Sequence, residues 1–283
     1  MIYVSTACVR ARRIKEAVEK LARFGFSNIE LSGGTDHYTG LEVDLIALQR
    51  NHGLSFLAHN YFPPPAEPLV INLASGDGGI YAKTIAQLKR GVDLCRVLGL
   101  DRFSFHAGFL ADLRPEDLGR PIQRRGLCDR QAAVEIFCRG YEEIRAYAKG
   151  LRIYVENNVL LPGVYREFNN RSPFLFTDFA GYRELRERID FMPLLDVAHL
   201  EISCRTLGLD FAEALRSLLA ETDYLHVGDT NEACDQDLPL RGDGVIVRAL
   251  KQFRCPGKTI TLEIKGQEAA LKSSYEIAKG VLE

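Results

Sequence analysis

"FMPLLDVAHLEI", residues 191–202, starts as a buried β-strand and stops behaving like one half-way along. Met192, Leu194 and Leu195 are core residues by type, whereas Asp196 and His199 arrive where the apolar run ends. A near-continuous apolar run suggests a strand covered on both faces, as in parallel sheets. The polar pair at its carboxyl end then raises the question of what stands beside it.

The stretch is one of eight with the same character. Apolar or β-branched runs recur at "IYVSTA" (2–7), "NIELSG" (28–33), "LSFLAHN" (54–60) and "RFSFHAG" (102–108). They continue at "RIYVENN" (152–158), "MPLLDVAHL" (192–200), "DYLHVGDT" (223–230) and "TITLEIKG" (259–266). Helical patterns lie between them. Ile14, Val18, Leu21 and Phe24 share a face before Gly25, and Leu41, Leu45 and Leu48 share one before Gly53. Ile85, Leu88, Val92 and Cys95 run to Gly99, and Val134, Phe137, Tyr141, Ile144 and Tyr147 run to Gly150. Weaker helical segments follow near 177–188, 210–220, 244–253 and 267–280.

Eight strand-then-helix units in 283 residues have the size and order of a (β/α)8 TIM barrel, one α/β domain over 1–283. Parallel strands with right-handed crossovers can close at eight, which removes both sheet edges. The competing open, doubly wound sheet places a glycine fingerprint directly after its first strand, and "STACVRARR" has none. "SGDGGI" (75–80) reads as a turn and helix start, with a phosphate nest as the lesser alternative.

Composition narrows the classes. Hydrophobic residues make up 46% and charged residues 26%, with net charge -2 and pI near 6.3. That balance offers no bulk attraction to nucleic acid or to an anionic membrane. No apolar stretch approaches the about 20 residues of a membrane helix. "MIYVSTACVRARR" sets its apolar run before its basic residues, the reverse of a secretory signal. The 7 cysteines include no C-x-x-C pair, which favours reduced thiols and a cytoplasmic setting.

In such a barrel the reactive groups project from the carboxyl ends of the strands. Those ends carry His59, His106, Glu156, Asp196 with His199, His226 with Asp229, and Glu263. One carboxylate in such a place is most often a helix cap or half of an ion pair, and one histidine most often a satisfied core or surface group. The ensemble differs. Glu156, Asp196, His226 and Glu263 come from four consecutive strands, so they converge on one mouth. Three carboxylates held together raise each other's pKa unless a cation compensates, and a divalent metal on three carboxylate oxygens and one imidazole is the simplest compensator.

"VEN" at Glu156, "DVAH" at Asp196 and His199, "HVGD" at His226 and "LEIKG" at Glu263 resemble the xylose isomerase-like barrel superfamily of ketose epimerases, sugar-phosphate isomerases and the endonuclease IV family. "HNYFPPPAEPLVINLAS" and "FHAG" resemble its third and fourth strand ends, so the resemblance spans nearly the whole chain. In its isomerase and epimerase members, the residues matching Glu156, Asp196, His226 and Glu263 hold one Mn²⁺, Mg²⁺, Co²⁺ or Zn²⁺. The resemblance implies proton transfer next to a carbonyl through a metal-stabilised enediolate, with Glu156 and Glu263 as base and acid. It implies a carbohydrate-like substrate met by His59, His106 and His199, and allows a homo-oligomer. His199 otherwise steadies Asp196.

The endonuclease IV members use a larger cluster, with an Asp-x-His pair after the seventh strand. Here Asp235 and Asp237 are available and no histidine follows His226. Abasic-DNA cleavage is therefore the alternative, as is a lyase or dehydratase of the same superfamily. A non-catalytic sugar-binding scaffold has no need of both glutamates. His59 and His106 leave room for a second metal beside Glu156. "PLRGDGVI" resembles the glycine-rich turn of the sugar-binding members, where Arg241 meets a substrate hydroxyl or phosphate or is simply solvated. The longest connection, 109–130, carries Arg114, Arg120, Arg124 and Arg125, read as a solvated surface or as a lid over an anionic substrate. His37 reads as a turn residue.

Overall fold

Eight short parallel strands set the frame of the computed structural model, which describes residues 1–117, 126–231 and 237–282. They are β1 (Ile2–Ser5), β2 (Asn28–Leu31), β3 (Ser55–Ala58), β4 (Arg102–His106), β5 (Arg152–Glu156), β6 (Met192–Asp196), β7 (Tyr224–Val227) and β8 (Thr259–Leu262). Each of the eight sequence runs contains one. The neighbour order is β3-β2-β1-β8-β7-β6-β5-β4. Where β3 meets β4 there is a single parallel bridge, His59 with Ser104, and the Asn60 N–H donates to the Ser104 carbonyl at 2.9 Å. The sheet is thus a nearly closed barrel, a TIM barrel with its seam between β3 and β4.

The helices are α1 (Ile14–Arg23), α2 (Leu41–His52), α3 (Gly78–Leu98), α4 (Arg130–Tyr147), α5 (Pro162–Glu167), α6 (Phe179–Arg186), α7 (Val197–Leu207), α8 (Phe211–Leu219), α9 (Val245–Phe253) and α10 (Glu268–Leu282). Gly53 and Gly99 end α2 and α3 at φ 62° and 67°, a conformation that favours glycine. "SGDGGI" starts α3: the Asp77 carboxylate accepts from the Gly79 and Ile80 N–H groups, so the helix N-terminus is filled by the chain itself. Among the described residues no helix is long and apolar enough to cross a membrane.

Two layers of core result. Ile29, Phe103, Leu195, Leu225 and Ile260 face outward and pack under helix residues such as Ile14, Leu45, Val92 and Phe137. Tyr3, Leu57, Tyr154, Leu194 and Tyr224 form a separate cluster, so the barrel's interior is filled and is not a pore.

One expectation is corrected. The run 192–200 is strand only to Asp196, and α7 begins at the next residue. The Asp196 carboxylate causes the switch by accepting from the His199 N–H at 2.7 Å, which caps the helix and ends the strand. Two helices absent from the sequence reading, α5 and α7, therefore follow β5 and β6 directly before α6 and α8.

Candidate metal centre

Glu156 and Asp196 are the last residues of β5 and β6, His226 lies within β7, and Glu263 follows β8. All but Glu263 are almost wholly buried; the Glu263 side chain is 18% exposed. Each of the four offers one ligand atom, and these atoms lie within 4.8 Å of one another. His226 Nδ1 stands 3.3 Å from Glu156 Oε1 and 3.4 Å from Glu263 Oε2.

Backbone contacts bring them together. The Asn157 side chain clamps Asp196, its amide donating to the Asp196 carbonyl at 3.0 Å and its oxygen accepting from the Asp196 N–H at 2.8 Å. The Glu263 N–H donates to the Val227 carbonyl, which extends the β8 pairing by one residue. A Cβ on Gly228 would meet the Glu263 carbonyl oxygen at 2.6 Å, so the glycine of "HVGD" lets the two strand tips close up.

The electrostatics are those of crowded charge without a solvent. Burial raises the Glu263 carboxyl, but the adjacent His226 outweighs it and the pKa falls to about 2. For Glu156 burial likewise opposes ionisation, and His106, His59 and His226 together hold it well below the usual range. Burial drives Asp196 the other way, up to about 6, aided by Glu156 and resisted by His199. Burial alone would lower His226, yet Glu30, Glu263 and Glu156 lift it well above 6.5. Burial takes His106 down to about 4 in spite of Glu156.

Both Glu156 oxygens, both His226 ring nitrogens, His106 Nδ1 and Glu30 Oε1 lack a hydrogen-bond partner. Imidazoles do approach within 2.9–3.3 Å, as at His226–Glu30 and His106–Glu156, but the oxygens lie off the donor directions, so these are ion-pair approaches and not hydrogen bonds. Buried polar groups are ordinarily satisfied. Three carboxylates and one imidazole converge here, with Glu156 and His226 unsatisfied, a donor set suited to a divalent cation, and the buried clusters are consistent with a divalent metal site.

Two trios, His59–His106–Glu156 and Glu30–His59–His226, also meet the ligand distance condition. His59 Nδ1 is hydrogen-bonded to the Ser104 hydroxyl at 2.9 Å, and its Nε2 lies 3.0 Å from Glu156 Oε2. His199 sits in the first turn of α7. Its Nδ1–H donates to the Asn157 carbonyl at 3.0 Å, which leaves Nε2 on the site side, 3.8 Å from Asp196 Oδ2.

The mouth above is a cavity of about 480 Å³ lined by His59, His106 and Glu263 together with Ser32, Asn60 and Tyr61. Arg241 does not line it; its Nε donates to the buried Asp229 at 3.0 Å and its side chain is 64% exposed. His37 is exposed. In the basic connection, Pro115 reaches the cavity wall and Arg114 is exposed, whereas Arg120, Arg124 and Arg125 lie outside the described residues, as do Cys234 and Asp235.

Two residues of the site went unread in the sequence. Glu30, fully buried in β2, places Oε1 2.9 Å from His226 Nε2. Asn157 was hidden in "VENN" as an ordinary turn residue. The available signal for Glu30 was a lone carboxylate inside an apolar strand run, "NIELSG".

A family model described as "Xylose isomerase-like TIM barrel" matches residues 18–280. The chain belongs to the xylose isomerase-like TIM barrel family. Among solved structures of this fold, a D-tagatose 3-epimerase-like protein superposes with a TM-score of 0.73 at 19% identity, covering 99% of this chain and 96% of that one. D-psicose 3-epimerase from Clostridium cellulolyticum gives 0.71 at 15% identity, covering 100% and 99%. Endonuclease IV from Thermus thermophilus gives 0.61 at 15%, covering 99% of each chain. At such identities the likeness is one of fold. Among curated proteins no sequence match is found.

Proposed function

We propose that the protein is a divalent-metal-dependent isomerase or epimerase acting on a sugar or sugar phosphate. The observation that carries the reading is the buried quartet Glu156, Asp196, His226 and Glu263, whose ligand atoms lie within 4.8 Å of one another beside an open cavity. The epimerases among the superposed structures support it at the level of fold. These four residues would hold the ion. A divalent cation there supplies positive charge against the negative charge that builds on substrate oxygens during proton abstraction next to a carbonyl.

The chain supplies the rest. Glu156 and Glu263 are both held ionised, so either can accept a proton from carbon. That same carboxyl, now protonated, can return the proton to carbon; return by the other glutamate requires it first to take a proton from water entering by the open cavity. The cluster's most readily retained carboxyl proton is on Asp196. His199 keeps its Nδ1 proton on the Asn157 carbonyl and presents Nε2 to a substrate hydroxyl. His106 stays neutral because burial disfavours its charge, and it can pair with a neutral hydroxyl at the cavity wall. We assign Arg241 no contact with substrate, since Asp229 holds it outside the cavity lining.

The test is metal analysis coupled to isotope exchange. One divalent ion per chain, with chelator-sensitive exchange of solvent deuterium into a ketose beside its carbonyl, is the expected result. A protein without bound divalent ion and with no such exchange would falsify the reading. The trio His59, His106 and Glu156 favours a second reading, a metal-dependent phosphodiesterase. Two ions per chain and cleavage of abasic DNA would support it over the first.

A further inference from the structure

Glu30 takes no part in the chemistry above, yet it is 0% exposed in the middle of β2. Among the described residues its one ion-pair contact is to His226, and no lysine or arginine is within reach. A buried carboxylate with so little compensation is unfavourable, and an apolar side chain of like size would fill the same space without that penalty. Packing alone therefore does not account for a glutamate here.

Its placement is specific. Glu30 Oε2 accepts from the Thr261 hydroxyl of β8 at 2.9 Å, and that hydroxyl lies 3.4 Å from the Tyr224 hydroxyl of β7. This anchor leaves Oε1 at 2.9 Å from His226 Nε2, on the side of the ring away from the carboxylate cluster. The opposite nitrogen, Nδ1, faces Glu156 and Glu263. The His59 ring stands edge-on to His226 with centroids 4.8 Å apart, and the Ser104 hydroxyl holds His59 in turn. The imidazole is thus braced on one face and flanked by carboxylates at both nitrogens.

A neutral imidazole carries one ring proton, and its position decides whether the ring can act as a ligand through a given nitrogen. With the proton on Nδ1 the quartet loses a donor. With it on Nε2 the Nδ1 lone pair points at the other three ligands. We infer that Glu30 is a positioning residue: it takes the Nε2–H of His226 and thereby fixes Nδ1 as the metal-binding atom. The 2.9 Å separation of Oε1 and Nε2 already lies within hydrogen-bond length. Residues that orient a ligating histidine in this way typically change metal affinity by about 10- to 100-fold when removed.

This inference rests on the metal reading of the proposed function, and one experiment separates the two. Co²⁺ affinity, by competition with a chromophoric chelator, and the visible Co²⁺ absorption spectrum are measured for the unmodified protein, Glu30→Met and Glu30→Gln, with the Tm of each metal-free protein. Glu30→Met is expected to bind Co²⁺ about 10- to 100-fold more weakly, with an altered spectrum and a metal-free Tm unchanged or raised. Glu30→Gln, whose amide oxygen still accepts from Nε2–H, is expected to keep most of the affinity. Equal affinity and spectrum in Glu30→Met overturn the inference while the metal reading stands. A fall in metal-free Tm in both variants also overturns it, since that is the mark of a structural role. If the unmodified protein binds no Co²⁺, both readings fall together.

Discussion

The barrel's two ends handle charge in opposite ways. At the amino-terminal end of the strands, Arg102 and Arg152 face Asp101 and Asp223. Arg102 Nε pairs with Asp101 at 3.0 Å, and Arg152 pairs with Asp101 and, at 3.2 Å, with Asp223. The Tyr154 hydroxyl donates to Asp223 at 2.7 Å, and the Arg102 guanidinium lies over the Tyr154 and Tyr224 rings. Two cations meet two anions, with water close by. At the carboxyl end, the ion-pair partners of Glu30, Glu156, Asp196 and Glu263 among the described residues are all imidazoles, and three oxygens of Glu30 and Glu156 go without a hydrogen bond. The first end pairs its carboxylates with permanently charged arginines; the second pairs them with titratable imidazoles, an arrangement consistent with a divalent metal site.

That contrast can be broken, most forcefully at the carboxylates. Glu263→Gln is expected to lower turnover about 100- to 10,000-fold, the range for losing a general acid–base group, with the circular dichroism of the folded protein retained. Activity on the identified substrate within threefold of the unmodified protein would remove Glu263 from the chemistry.

Asp196 separates charge from capping. Asp196→Asn keeps an acceptor for the His199 N–H and should hold the metal-free Tm while weakening metal binding. Asp196→Ala should lose metal binding and also about 1 kcal/mol of stability with the cap. If calorimetry with added metal shows no drop in affinity for either variant, Asp196 is not a ligand.

A pH scan sharpens the comparison without mutation. His226 and His199 have pKa values raised above 6.5 in the folded protein, so the stability they contribute is complete below about pH 6.5 and is lost as pH climbs through their folded values. Asp196, raised to about 6 mainly by burial, finishes losing its proton at the lower edge of that window and adds to the decline only there. The Tm of chelator-treated protein should therefore fall as pH rises above about 6.5 and through the raised folded values, and a divalent ion should flatten the decline. A level metal-free profile over that window would contradict the cluster's electrostatics.

The smallest effect belongs to the other end. Arg152→Ala removes its pairs with Asp101 and Asp223, both partly in water, and should change stability by about 1 kcal/mol or less, with activity untouched.

Much of the site was legible because polar residues interrupt apolar runs at a fixed place, the strand's carboxyl end. Glu156, Asp196, His226 and Glu263 all announce themselves in that way. α7 did not. All eight residues from Val197 to Cys204 are buried, so this stretch has no exposed face, and Leu200, Ile202 and Cys204 alternate with Glu201, Ser203 and Arg205 in the two-residue period of a strand. Such a segment reads as readily as strand. Glu30 was overlooked because its significance lies in the distance to His226, far away in the chain and close only once the sheet curls β2, β1, β8 and β7 round one interior. Arg241 was read by motif, and its partner Asp229 was visible only in three dimensions.

The seam between β3 and β4 has one more implication. Elsewhere around the barrel neighbouring strands are joined by named ladders, but here the junction is one bridge, and that bridge is His59, a wall residue of the cavity and a neighbour of Glu156. The barrel's hoop is therefore fastened by a residue of the cavity's own wall. Whatever engages His59 from above pulls on the clasp as well as on the chemistry, so amide protons along that junction are natural reporters of occupancy.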